Sequence, residues 1–172
     1  MSCVEKPVLR DLYLEHASAV FGFLCNRVGR QEAEDLTSEV FLRVARALPN
    51  LEDQGVPIRA WILRITRNLV IDRARAAARR PRTTYDPEPT TPDHGERAMD
   101  LFEGASALAA LASLNDAQRE VIDLRFLRDL TVAEVSVVLG ISEDSVRALT
   151  YRAVKALRAE HRMRWGGNTS SE

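Results

Sequence analysis

Arg147, Arg152, Lys155, Arg158, Arg162 and Arg164 follow Ser145 with only Glu160 to oppose them, a net charge of +5 within one short stretch. Clustered guanidinium and ammonium groups are the chemistry of phosphate, because they displace the counterions condensed on a nucleic-acid backbone. Arginine adds a second capability. Its planar fork donates bidentately to the O6 and N7 edge of guanine. Arg147, at the exposed start of the stretch, suits a base edge. Arg152 and Lys155 suit phosphate, which fixes register without reading sequence. Tyr151 can do either, or pack. The competing reading is a basic helix face that is merely solvated.

The elements that must hold these groups are spelled out from Leu130 to Arg158. Thr131 is an N-cap with Glu134 three residues on, a capping box. Leu130 can staple to Val135, and Val132, Val135, Val138 and Leu139 face inward at helical spacing. Gly140 can take the left-handed conformation that ends a helix. Ser142 then caps the next helix, with Ile141 able to staple to Val146. Two capped helices joined by a short Gly-containing turn match the helix-turn-helix, whose second helix enters the major groove. Ser142 and Glu143, at its start, join Arg147, Tyr151, Arg152 and Lys155 as candidate duplex contacts.

Bulk properties narrow the class. The 172 residues can form one domain or two small ones, and 45% hydrophobic content is ordinary for a folded chain. Aromatics are scarce at 6% while Ala, Leu, Val and Arg abound, which favours helices. No long uncharged apolar run or signal-peptide pattern is present, so a cytoplasmic location without membrane insertion is expected. Cys3 and Cys25 are too few and badly spaced for a zinc site or disulfide framework. Cys25, among apolar residues, reads as a small buried hydrophobe. No nucleophile–base pair, metal-ligand spacing or phosphate loop is visible. The sequence therefore predicts no catalytic residue, cofactor or metal, and His94 between Asp93 and Glu96 reads as solvated.

The overall charge of −1 hides segregation. Residues 1–53 carry −3, residues 54–82 carry +7, residues 83–116 carry −6 and residues 117–165 carry +2. Two basic blocks separated by an acidic bridge suggest two nucleic-acid contacts on one chain.

Periodicity predicts an all-α protein of two small helical domains. A helix from about Val8 to Val28 has Leu9, Leu12, Tyr13, His16, Val20, Phe23 and Leu24 on its apolar face, with His16 read as a hydrogen-bonded core histidine. Gly29 ends it. A second helix, about Gln31 to Leu48, buries Ala33, Leu36, Val40, Phe41, Val44 and Leu48 and stops at Pro49. A loop over Asn50 to Pro57 precedes a third helix to about Arg80, with Ile58, Ile62, Ile65 and Leu69 as its stripe. The Pro-rich segment that follows cannot bury a core. Helices from about Met99 to Leu111 and Asp116 to Leu127, apolar through Leu108, Leu111, Val121, Ile122, Leu124 and Phe126, complete a four-helix C-terminal domain with the hairpin. The expected divisions are a helical domain over 1–81, a flexible acidic linker over 82–98, a helix-turn-helix domain over 99–165 and a disordered tail over 166–172.

Two segments together resemble one family. Ala33-Glu-Asp-Leu-Thr-Ser-Glu-Val-Phe-Leu-Arg-Val44 followed by Arg59-Ala-Trp-Ile-Leu-Arg-Ile-Thr-Arg-Asn-Leu-Val-Ile-Asp72 is similar to the second conserved domain of extracytoplasmic-function (ECF) sigma factors. Leu114-Asn-Asp-Ala-Gln-Arg-Glu-Val-Ile-Asp-Leu-Arg-Phe126 through Arg158 is similar to their fourth. The likeness spans about residues 8–80 and 105–162, in the family's order. It implies a dissociable promoter-recognition subunit of bacterial RNA polymerase. Such a subunit binds the −35 element through its C-terminal domain and the −10 element through its N-terminal domain, and promotes strand opening.

The resemblance also implies where partners sit. The Asp35 to Arg46 helix would dock on a coiled coil of the polymerase largest subunit, with Asp35, Thr37, Ser38, Glu39, Arg43 and Arg46 exposed around Phe41 and Leu42. The C-terminal domain would meet the flap region, and an anti-sigma factor is a further possible partner. Ser38 stands where the family often has Gln. The loop from Asn50 and the helix after it would hold the melted element, with Arg64, Arg67, Arg73, Arg75, Arg79 and Arg80 on the backbone. Trp61 either packs near Ile58 and Ile65 or offers a flat surface for a base, a contact worth roughly 1–3 kcal/mol. Asn68 and Asp72, on one face, read as structural. Ala148-Leu149-Thr150 stands where many relatives carry Ser-Arg-Leu, so promoter preference does not transfer. A linker of about 20 residues spans at most roughly 65 Å, and its carboxylates would stand in for phosphates in a polymerase channel. The rivals are a one-component helix-turn-helix regulator that binds duplex without polymerase, and a helical adaptor or enzyme.

Overall fold

The computed structural model describes residues 8–51, 55–79 and 113–165, apart from the side chains at 161 and 163–165. The chain divides into two compact units between Asp93 and His94. The first contains α1 (Leu9–Val28), α2 (Arg30–Ala47), a 3-10 turn at Leu48–Asn50 and α3 (Ile58–Arg79). The second contains α4 (Asp116–Ile122) running into a π-helical turn (Asp123–Leu127), then α5 (Val132–Leu139) and α6 (Glu143–Trp165). Among the described residues there is no strand, in keeping with the all-helical expectation. The proposed linker, the helix over 99–111, the tail, and Cys3, Arg80 and His94 lie outside the described residues.

The described residues of the first unit form three helices around one apolar core. Leu12, Val20 and Leu24 from α1 meet Ala33, Leu36, Val40, Phe41 and Val44 from α2 and Ile62 and Leu69 from α3. Cys25, Val28, Ile58, Trp61 and Ile65 pack around that cluster. Gly29 joins α1 to α2 without a loop. Its N–H bonds the Cys25 carbonyl at 3.3 Å and its carbonyl accepts from Ala33 at 3.1 Å. Its φ of 82° is a conformation that costs glycine little. Pro49 stands not at the end of α2 but in the first positions of the 3-10 turn, where a missing N–H breaks no bond.

His16 is buried at 7% exposure, as its place on the apolar face predicted. The hydrogen bond expected of it is not made by Nε2, which has no partner; the Glu15 carboxylate lies 3.9 Å away.

In the second unit Leu114, Val121, Ile122, Leu124, Leu130, Val135, Val138, Val146 and Ala153 are buried. α4 opens on a capping box in which Asn115 and Gln118 bond each other's backbone N–H. The helix then widens. The Arg128 N–H reaches back five residues to the Asp123 carbonyl at 3.0 Å, and the Arg125 guanidinium donates to the Leu130 carbonyl. Buried Asp123 lies 3.3 Å from Arg128 Nε. This wider turn breaks the i, i+4 register that placed Phe126 on the apolar face, and Phe126 is 57% exposed.

Candidate nucleic-acid and polymerase interface

The helix-turn-helix is held by the local chemistry its sequence predicted. Thr131 Oγ1 accepts from the Glu134 N–H at 3.2 Å, and the Glu134 carboxylate takes both the Thr131 N–H and its hydroxyl at 2.8 Å. Leu130 and Val135, flanking the cap, are both buried. Gly140 takes the left-handed conformation, φ 68° and ψ 34°, and its N–H bonds the Ser136 carbonyl at 2.8 Å. The Ser136 hydroxyl donates across the turn to the Ile141 carbonyl at 2.6 Å. Ser142 Oγ caps α6 by accepting from the Ser145 N–H at 3.2 Å. Ile141, by contrast, stays partly exposed beside buried Val146.

Val146 and Ala153 anchor α6 to its unit. Away from them runs a cationic stripe. Arg147, Tyr151, Lys155, Arg158 and Arg162 recur at steps of three and four, so they share one helix face over about 22 Å. Tyr151, Val154, Lys155, Arg158 and Arg162 line one groove. Tyr151 is 68% exposed, so of its three readings packing is not the one realised. Arg152 lies off this stripe, with Nε donating to the Ala148 carbonyl at 3.3 Å. Sequence reasoning takes Arg158 and Arg162 as charge without placing them in the site; a helical wheel starting from Arg147 is the signal that finds them.

Arg147 is already engaged at its exposed position. Its Nη2 donates to Glu143 at 2.7 Å and its Nη1 to Asp144 at 2.9 Å.

In the first unit the α2 residues separate into outer and inner sets. Asp35, Ser38, Leu42 and Arg46 are exposed, Leu42 at 57%. Glu39 and Arg43 are half-buried and paired at 2.8 Å. Two residues that the family resemblance placed on this face belong to the interior, and for Phe41 the apolar period of α2 had already said so. Phe41 is 6% exposed, its ring edge-on to Tyr13 at 4.8 Å between centroids. Thr37 is buried and donates its hydroxyl to the Ala33 carbonyl at 2.7 Å. Both fall on the side of α2 that α1 covers.

On α3, Arg64, Asn68, Arg75 and Arg79 are exposed and recur on one face. Arg67 is half-buried. Arg73 does not join that face. It points back to α2, 3.1 Å from Glu32 and 3.8 Å from Glu39. Asp72 likewise reaches Arg43 at 3.9 Å, so its tie crosses helices rather than running to Asn68. Trp61 is half-buried against the core, the packing alternative of the two read from sequence. Asn50 is exposed at the end of the 3-10 turn. Among the described residues no cluster of side chains is arranged to hold a metal ion, and no helix is long and apolar enough to cross a membrane.

Known proteins match both units. The Sigma-70 region 2 family matches residues 12–80 and the Sigma-70 region 4 family matches residues 110–159. ECF RNA polymerase sigma factor SigL of Mycobacterium tuberculosis is 32% identical over 163 residues, covering 91% of this chain and 90% of that protein. ECF RNA polymerase sigma factor BldN of Streptomyces coelicolor is 36% identical over 158 residues, covering 89% of this chain but 60% of that longer protein. Among solved structures, CnrH in complex with the cytosolic domain of CnrY superposes with a TM-score of 0.62 at 26% identity, covering 88% of this chain and 85% of CnrH. The fold is also that of the sigma factor RpoE of Bartonella quintana, solved with the anti-sigma factor NepR, at a TM-score of 0.66 and 19% identity over 89% of this chain and 96% of RpoE. With both sigma regions present in order and SigL matched along nearly its whole length, the chain belongs to the ECF RNA polymerase sigma factors.

Proposed function

We propose that the two units divide the work of a sigma factor. The second unit sets α6 into the major groove of the upstream promoter element, with Arg147 on a base edge and Lys155, Arg158 and Arg162 on phosphates. Ser142 and Arg152 help fix the helix at the groove through their backbone bonds. The first unit docks on core RNA polymerase through Asp35, Ser38, Glu39, Leu42, Arg43 and Arg46. It holds the downstream, melted element along Asn50, Arg64, Arg67, Arg75 and Arg79. The observation that carries this reading is the capped helix-turn-helix whose second helix presents a continuous cationic stripe.

Strand separation costs a few kcal/mol per unstacked base. Guanidinium groups on the freed strand's phosphates offset it, and the exposed outer turns of α3 supply them. Sigma factors are initiation factors, so the bond-making chemistry belongs to the polymerase. CnrH is solved with a protein domain bound. A protein inhibitor of this chain, an anti-sigma factor, would compete for the same α2 surface around Leu42.

Adding the full chain to bacterial core polymerase and a pool of promoters tests the assignment. Initiation from a subset of promoters, absent with core alone, is the expected result. Duplex binding that needs no polymerase, with no change in initiation, would overturn it in favour of a one-component regulator.

A further inference from the structure

Arg147 does not wait at the head of α6 as a free cation. Nη1 and Nη2 each donate to a different carboxylate, Asp144 at 2.9 Å and Glu143 at 2.7 Å. Two of the guanidinium's five N–H groups are so used, which leaves three for other acceptors. The Asp144 side chain is 95% exposed and bonds Arg147 through Oδ1, which leaves Oδ2 as an acceptor. The Glu143 side chain is 47% exposed and braces the other side of the fork. Ser142 Oγ and Ser145 Oγ, 2.8 Å apart, tie down the turn beneath them.

The guanidinium and the Asp144 carboxylate, bonded to each other at 2.9 Å, therefore stand side by side on one helix turn, with Oδ2 outside that bond. The major-groove edge of a G·C pair offers two acceptors, N7 and O6 of guanine, then a donor, N4 of cytosine. Reading across the pair, the guanidinium meets the acceptors and the carboxylate meets the donor. At an A·T pair the middle position is a donor facing a donor, and the last is an acceptor facing the carboxylate. A reversed pair fails in the same way. Against bare phosphate the two carboxylates bring like charge with them. Every alternative thus meets a charged group of the wrong kind.

We propose that Asp144, Arg147 and Glu143 read one G·C base pair of the upstream element as a unit. Arg147 donates to guanine, Asp144 accepts from the cytosine N4 amino group, and Glu143 is the positioning residue. This rests on the reading that α6 enters duplex DNA, and it adds the partner base and the two acids that determine specificity.

The full chain, assembled with core polymerase, is incubated with a duplex pool randomised across the upstream element, and the bound fraction is sequenced. The wild type should enrich G·C at one position. Arg147→Ala should abolish that preference. Asp144→Ala should lower it by about tenfold, the discrimination a good base contact provides, while preferences at other positions persist and binding to non-specific duplex rises. Glu143→Ala should lower it by less. Persistent preference elsewhere shows that the variants are folded. If Arg147→Ala abolishes the preference but both acid variants retain it, the three-residue unit is wrong while the reading of α6 stands. If the acid variants weaken all sequences equally, the acids are only helix supports and the inference fails. If the wild type enriches nothing, the reading of α6 falls and the inference with it.

Discussion

Arg73 Nη2 lies 3.1 Å from the Glu32 carboxylate, so one arginine of the basic third helix faces its own domain rather than a nucleic-acid strand. Glu39 approaches the same guanidinium at 3.8 Å, and Arg43 joins through Glu39 and Asp72. The helix that reads as uniformly cationic is two-faced: Arg64, Arg75 and Arg79 point outward, and Arg73 ties α3 to α2. Exposed pairs of this kind contribute up to about 1 kcal/mol.

Salt dependence separates the two faces. Replacing Arg64, Arg75 and Arg79 together by Ala should reduce the slope of log binding constant against log salt by about two, at roughly 0.7 for each phosphate no longer neutralised on a single strand. Arg73→Ala should leave that slope unchanged. Titrating the holoenzyme with forked promoter DNA over a salt series measures both. A slope that falls equally for Arg73→Ala would place Arg73 on the strand.

Phe41 and Leu42 are neighbours with opposite expected effects. Phe41→Ala empties a site that is 6% exposed and should cost roughly 3–5 kcal/mol of stability in the first unit. Leu42→Ala removes a side chain that is 57% exposed, and should leave the denaturation midpoint nearly in place while weakening binding to core polymerase. Urea unfolding beside a polymerase pull-down distinguishes them. Loss of stability in Leu42→Ala would contradict its assignment to the docking face.

The cap on α5 should matter for stability and not for base preference. Thr131→Ala leaves the Glu134 N–H without its acceptor and should cost about 1 kcal/mol. Thr131→Ser should restore most of it. Thermal unfolding of the full chain reads the difference, and promoter selectivity should be unaltered in both variants.

Gly140 holds a left-handed conformation between the two helices of the hairpin. No atom lies within 4 Å of where a Cβ would stand, so the cost of Gly140→Ala is conformational rather than steric crowding. That cost is about 1–2 kcal/mol. Gly140→Asn should cost less, because Asn tolerates this region better. Equal midpoints for the glycine and alanine forms would show that the turn adapts.

Much of this is legible in the amino-acid sequence alone. The bounds of α1, the Thr131–Glu134 box, the Gly140 turn and the Ser142 cap each depend on chemistry within a few residues, and sequence spacing shows such bonds directly. The Asn115–Gln118 capping box has the same kind of spacing. What escapes depends on more than one element. Thr37 sits on the side of α2 that α1 covers, a matter of helix packing rather than of period, whereas the burial of Phe41 follows from the apolar period. Phe126 is turned outward by an i to i+5 bond that no apolar pattern announces. Arg73 looks like its neighbours on α3 until Glu32 and Glu39 are brought alongside. The acids that engage Arg147 are visible at i−3 and i−4, but a tally of charge begun at Ser145 leaves Glu143 and Asp144 out.

Gly29 ends one helix and begins the next with a single residue. Such a junction has no slack. Lengthening it by one residue would turn α2 about its own axis by about 100°, swinging Asp35, Ser38 and Leu42 off the face they now occupy and driving charged side chains into the space that Leu36 and Val40 fill. Insertions and deletions at this junction should therefore be lethal to the function of this sigma factor.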